Sequence, residues 1–312
     1  MAAPPPPGVY VPAVLFFDEN EEFDITAIKA HVLRLAEGGV TGILVQGSNG
    51  EAQHLSHDER KQAISLTRET LDQAGFQNVL VIVGTGGQST RETKKLNEDA
   101  HKAGASHALV LTPGVWPKLM TLDNIVRFHR EVADASPIPT MIYNFPGVTA
   151  GIDLDSDTVL ALATHPNIVG TKLSCGNIGK IQRVASTLPS SSFATFSGRS
   201  DAYVHGLNAG SAGVIAALVN IAPKLHVKVY RLWKEGKAEE VMALQALLGH
   251  ADWAASKIGG IGGIKAIVST HFGYGQPFVR GPLKSGNPEA LDVNPHYKVI
   301  LQLIDAEKNC EL

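Results

Sequence analysis

Short apolar runs alternate with longer mixed stretches along most of this chain. The runs occupy residues 9–17, 40–45, 79–83, 107–111, 140–143, 168–172, 193–196 and 213–216, and most close in a polar or glycine-bearing break. Runs of this length, rich in β-branched residues, read as buried strands. The stretches between them carry helix signals. Asp24 caps a helix that reaches Ala36, where Gly38 and Gly39 stop it, and Ser56 with Glu59 forms a capping box ahead of a helix running to Gly75. Further helices are expected over 90–104, 122–133, 155–163 and 178–187, with a short one from Asp201. Strand and helix thus alternate eight times with connections of ordinary length. That pattern predicts a (β/α)8 TIM barrel over residues 8–221 rather than an open doubly wound sheet. Residues 222–312 read as the last barrel helix and a C-terminal helical extension of the same domain, and residues 1–7 as a disordered Pro-rich tip. The glycines at 259–263 lie between helices with no strand before them, so they predict a turn and not a nucleotide loop.

Composition narrows the setting. Charged residues are 18% of the 312, below the usual figure of about 25%, which points to a large core or a buried subunit interface. A net charge of -3 gives no footprint for nucleic acid or anionic membrane. Cys175 and Cys310 are the only cysteines, so a disulfide framework is not implied and a reducing compartment fits. Residues 1–7 have neither a basic start nor an apolar core of a secretory signal, and no uncharged apolar run approaches the roughly 20 residues of a membrane helix. A cytoplasmic location is therefore expected.

In a barrel of this kind the chemistry lies at the C-terminal ends of the strands. The sixth run ends in Lys172, and strand alternation puts Ile168, Gly170 and Lys172 on one face. A lysine on the inner face of a buried strand is anomalous, since burial disfavours an ammonium. An uncharged amine there is a nucleophile able to condense with a ketone. A lysine snorkelling from a strand edge is the ordinary alternative. Tyr143 ends the neighbouring fifth run, about 4.8 Å away across the sheet, and a phenol can both donate and accept a proton. Residues 47–51, Gly-Ser-Asn-Gly-Glu, form a turn whose backbone N–H groups suit a small carboxylate, with the Ser48 hydroxyl in reach of Tyr143 and Glu51 as a brace. Trp116, Arg199, Ser200 and Ile215 occupy other strand ends. His54 and His57 lack carboxylate partners at the strand ends, so a metal site is not expected, and Cys175 has no histidine to activate it.

Assembled this way, the chain resembles the pyruvate-dependent class I aldolases of the dihydrodipicolinate synthase and N-acetylneuraminate lyase family. The resemblance runs from Pro12 through GSNGE at 47–51, YNFPG at 143–147, GTK at 170–172, SG at 197–198 and GVI at 213–215 to KAI at 265–267 and Arg280. Within the family it is most similar to fungal members acting on L-threo-3-deoxy-hexulosonate and related 2-keto-3-deoxy sugar acids. The resemblance implies a retro-aldol enzyme that needs no cofactor beyond a covalent imine on Lys172. It makes Tyr143 the proton shuttle, Ser48 and Asn49 the pyruvate carboxylate site, and Gly198 and Ile215 parts of the lining. It also implies pyruvate and an aldehyde as partners and a homotetramer built from dimers. Two positions depart from the dihydrodipicolinate synthases: Val148 stands where those enzymes carry a carboxylate-binding arginine, and Gly114-Val115-Trp116 replaces their tyrosine pair. A neutral hydroxyaldehyde such as glyceraldehyde is therefore expected to be a good partner, with Trp116 adding bulk and Arg199 a possible cation. The alternatives are 4-hydroxy-2-oxoglutarate cleavage, a dihydrodipicolinate synthase-like condensation, dehydration of a sugar acid, and a non-catalytic pyruvate sensor.

Overall fold

The structure is a computed structural model that describes residues 2–311. Eight strands close into one parallel barrel in chain order: β1 (Gly8–Pro12), β2 (Gly42–Val45), β3 (Leu80–Gly84), β4 (His107–Leu111), β5 (Thr140–Asn144), β6 (Ile168–Leu173), β7 (Ala194–Ser197) and β8 (Gly213–Ile215), the last pairing with the first. Between them run α1 (Ile25–Glu37), α2 (His57–Gln73), α3 (Thr90–Lys102), α4 (Leu122–Ala135), α5 (Ser156–Leu162), α6 (Ile178–Thr187) and α7 (Tyr203–Asn208). The expected caps form: Asp24 accepts from the Ala27 N–H, and Ser56 and Glu59 make both halves of a capping box. After β8 come α8 (Pro223–Lys234) and then α9 (Ala238–Ile258), α10 (Gly260–Phe272) and α11 (Tyr297–Lys308), which make up the helical extension.

The barrel interior is filled by inward side chains from the strands, among them Tyr10, Leu44, Ile82, Leu109, Met141, Tyr143, Phe196 and Ile215. A separate apolar layer lies between strands and helices. This two-layer burial is why each strand reads as a continuous apolar run instead of an alternating one.

Four expectations need correction. The first strand stops at Pro12, not at Phe17, because the side-chain amide of Asn220 takes over the ladder. Its Nδ2 donates to the Pro12 carbonyl at 3.0 Å and its Oδ1 accepts from the Val14 N–H at 3.0 Å. In β6 the pairing with β5 shifts between Thr140–Ile168 and Met141–Gly170, leaving Val169 as an extra residue. That bulge turns Ile168 into the strand–helix layer and Val169 into the barrel, so Ile168 does not share a face with Lys172. The turn at 259–263 contracts to Gly259, whose φ of 127° a side-chain-bearing residue rarely adopts, and α10 starts at Gly260. The N-terminal tip is packed over its described part. Pro5 is buried, the Pro6 carbonyl accepts from the Tyr10 hydroxyl at 2.7 Å, the Ala3 carbonyl lies 3.0 Å from His107 Nε2, and Ala2 touches the interior cluster. Met1 lies outside the described residues.

Candidate active site

Register brings the first two groups together. Tyr143 on β5 pairs with Lys172 on β6, and Lys172 pairs on its other side with Phe196 of β7. The Lys172 Nζ lies 3.2 Å from the Tyr143 hydroxyl and 4.3 Å from the centroid of its ring. Both side chains are buried, with Lys172 at 3% exposure. The described residues include three buried lysines. Lys180 pairs with Asp153 at 2.5 Å and Lys265 with Glu51 at 2.6 Å, whereas Lys172 has no carboxylate partner among the described residues. Among the described residues the Tyr143 hydroxyl is its one hydrogen-bond partner.

That amine opens into a cavity of about 300 Å³ lined also by Ser48, Asn49, Ser174, Gly198, Arg199 and Asp252. Residues Ser48–Gly50 form one 3-10 turn entered from Gly47 and left through Glu51, which is left-handed at φ 53°. Within the turn the N–H groups of Gly50 and Glu51 bond to Gly47 and Ser48 carbonyls at 3.0 and 3.1 Å, and that of Ala52 reaches Gly47 at 3.3 Å. The N–H groups of Ser48 and Asn49 have no acceptor among the described residues, as a carboxylate cradle requires. Ser48 lines the cavity beside Tyr143, but the expected hydroxyl–phenol hydrogen bond is not formed among the described residues. Gly198 is fixed by crowding, since a Cβ there would lie 2.1 Å from Ser174 Oγ and 2.7 Å from its Cα.

Glu51 is the brace its position suggested, and its partners were not foreseen. Its buried carboxylate takes the Lys265 ammonium from α10, the Arg280 N–H at 2.9 Å, and lies 3.4 Å from His54 Nδ1. The Lys265 Nζ also donates to the Phe278 carbonyl at 2.8 Å. Burial pulls that ammonium down to about 8, with the Glu51 charge opposing the shift. The turn that carries Ser48 and Asn49 is thus pinned to the C-terminal extension. The one clue in the sequence is a lysine inside the otherwise apolar start of α10.

The chain matches the Dihydrodipicolinate synthetase family over residues 5–292. It belongs to that family. A protein of Emericella nidulans named "Probable 4-hydroxy-2-oxoglutarate aldolase, mitochondrial" is 46% identical over 95% of this chain and 96% of its own. An L-threo-3-deoxy-hexylosonate aldolase of Hypocrea jecorina is 44% identical over 90% of this chain and 92% of its own. Among solved structures, the family member YagE of E. coli K12 in complex with pyruvate superposes with a TM-score of 0.85 at 26% identity, covering 95% of this chain and 98% of that one. These names overturn the cytoplasmic expectation, because the Emericella relative and one from Coccidioides immitis are both named mitochondrial.

Three of the expected site residues do not sit as the sequence reading placed them. Trp116 is 66% exposed, caps a 3-10 turn at Pro117–Leu119, and does not reach the cavity, because the loop after β4 turns outward. Ile215 is fully buried within the barrel core and is not on the cavity wall. Arg199 does line the cavity, but its guanidinium is already engaged. Nε and Nη2 hold Asp201 at 3.0 and 2.6 Å, and Nη2 lies 3.8 Å from Asp252. Asp252, from the middle of α9, was missed because nothing nearby in the sequence marks it. Val148 lines an adjoining cavity of about 320 Å³ that shares Ser48 and Tyr143 with the first and contains the amides of Gln46, Gln53 and Gln88.

Proposed function

We propose that this chain is a class I aldolase that cleaves a 2-keto-3-deoxy sugar acid into pyruvate and a hydroxyaldehyde such as glyceraldehyde, through an imine on Lys172. The observation that carries the reading is the Lys172 amine, buried without a carboxylate partner among the described residues and 3.2 Å from the Tyr143 hydroxyl. The amine adds to the C2 ketone, Tyr143 gives its proton to the departing C2 hydroxyl, and water leaves to give a protonated imine and a phenolate. Tyr143, as the phenolate, takes the proton of the C4 hydroxyl while the C3–C4 bond breaks. The bonding electrons pass to the imine nitrogen as an enamine, and the aldehyde leaves. Protonation at C3 and hydrolysis then release pyruvate and free the lysine. The Ser48 and Asn49 N–H groups hold the substrate carboxylate throughout.

Borohydride reduction in the presence of pyruvate is expected to give a stable adduct on Lys172. An unmodified protein, or an adduct on Lys180 or Lys265, removes the mechanism. Cleavage of 4-hydroxy-2-oxoglutarate to pyruvate and glyoxylate is the second reading, supported by the name of the Emericella relative. Condensation of pyruvate with glyceraldehyde, glyoxylate and aspartate semialdehyde separates the two. The semialdehyde is expected to be the poorest, since Val148 offers no cation for its carboxylate. We also infer a homotetramer. The exposed apolar side chains of Val115, Trp116, Leu119, Leu122 and Val148 support it, and light scattering on the purified protein tests it.

A further inference from the structure

Resting on the aldolase reading, we propose that Asp252, set against the Arg199–Asp201 pair, makes the cavity select a hydroxylated aldehyde tail over a carboxylated one. Asp252 comes from α9, outside the eight strand–helix units, yet lines the same cavity as Lys172 and Tyr143. Its side chain is largely buried, at 14% exposure. Oδ2 accepts from the Asp201 N–H at 3.4 Å, and the nearest side-chain cation among the described residues is Arg199 at 3.8 Å, too far for a direct hydrogen bond.

The charges on this wall decide what it accepts. Among the described residues Arg199 presents the one guanidinium on this wall, and Asp201 occupies its Nε and Nη2 with both carboxylate oxygens. An incoming second carboxylate must therefore displace Asp201 or bind beside two acidic groups. A hydroxyl-bearing tail instead brings O–H donors, and a carboxylate acceptor strengthens such bonds to roughly twice the neutral value. Burial, and then the charge of Asp201, push the Asp252 carboxyl up to about 6, so it enters substrate binding poorly compensated by its protein neighbours. Neutral donors and acceptors on the same wall, Ser174 and Ser256, complete a surface suited to a polyol. The selection thus lies in α9 and the loop after β7, on the wall of a cavity that Val148 does not line.

The test compares pyruvate condensation with glyceraldehyde and with glyoxylate in the wild type, Asp252→Asn and Asp201→Asn, with borohydride trapping of pyruvate measured in each. Asp252→Asn keeps the shape and removes the charge. Its KM for glyceraldehyde is expected to rise about tenfold, the size of one lost charge-assisted hydrogen bond, by more than its kcat falls. Asp201→Asn frees the Arg199 fork and is expected to raise kcat/KM for glyoxylate relative to glyceraldehyde by a similar factor. Trapping on Lys172 with an unchanged aldehyde ratio in both variants overturns this assignment alone. Failure of the wild type to trap pyruvate overturns the aldolase reading and this one with it.

Discussion

At the scale of single residues, Lys172 and Tyr143 stand or fall together. Lys172→Arg is expected to abolish turnover, because an always-protonated guanidinium cannot attack a ketone. Tyr143→Phe is expected to lower kcat by roughly 10²–10⁴, the usual size of a lost acid–base contribution, with slow imine formation still detectable by trapping. Ser48→Ala should cost less than either in pyruvate-release assays, because the free N–H groups of Ser48 and Asn49 are backbone groups that the substitution leaves in place. A larger loss in Ser48→Ala than in Tyr143→Phe would move the proton relay onto the serine. The juxtaposition of Lys172 and Tyr143 was legible because each closes an apolar run on neighbouring strands. The Arg199–Asp252 approach was not, since it joins positions from the loop after β7 and the middle of α9 that only the folded chain brings together. Trp116 misled for the opposite reason: its place after a strand was read correctly, but whether a loop turns inward or outward depends on packing that local sequence does not encode.

At the scale of elements, strand and helix identities followed from periodicity and caps, while the errors fell where a side chain or an extra residue interrupts a regular ladder. Asn220 at the end of β1 and Val169 in β6 are the two cases. The brace between Glu51 and α10 allows a stability prediction. Lys265→Met leaves the Glu51 carboxylate buried without its cation, and thermal unfolding should report a loss of about 3–5 kcal/mol. A second contact ties α11 to α8. The Glu307 carboxylate accepts from the Lys224 and Leu225 N–H groups at 3.0 and 2.9 Å, capping the start of α8. Burial nonetheless pushes its carboxyl from 4.5 up to about 7, so the folded chain holds this proton more tightly than the unfolded one. The stability contributed by that proton is full below the unfolded value and is lost as pH rises through the folded one. Its upper bound is roughly 3 kcal/mol. Melting temperatures measured from pH 4 to 8 should therefore fall less steeply in Glu307→Gln than in the wild type over this window. Parallel curves would assign the slope to other groups.

At the scale of the whole molecule, the eight-fold alternation made the closed barrel readable, and the low charge content fits the density of its two apolar layers. What the alternation did not reveal is how far the last third of the chain enters the site. The extension carries Asp252 and Ile264 to the cavity wall and Lys265 to the turn that holds Ser48. The barrel strands are complete at Ile215, yet the clamp on that turn lies 50 and 65 residues further on, at Lys265 and Arg280. Synthesis from the N-terminus therefore makes the reactive amine long before it makes the parts that position a substrate against it. A ribosome-bound chain lacking α10 would hold Lys172 without a pinned carboxylate cradle, so competence would arrive late, with nearly the whole polypeptide released. A chain ending at Ile258 is expected to trap little or no pyruvate with borohydride even where circular dichroism shows the barrel folded.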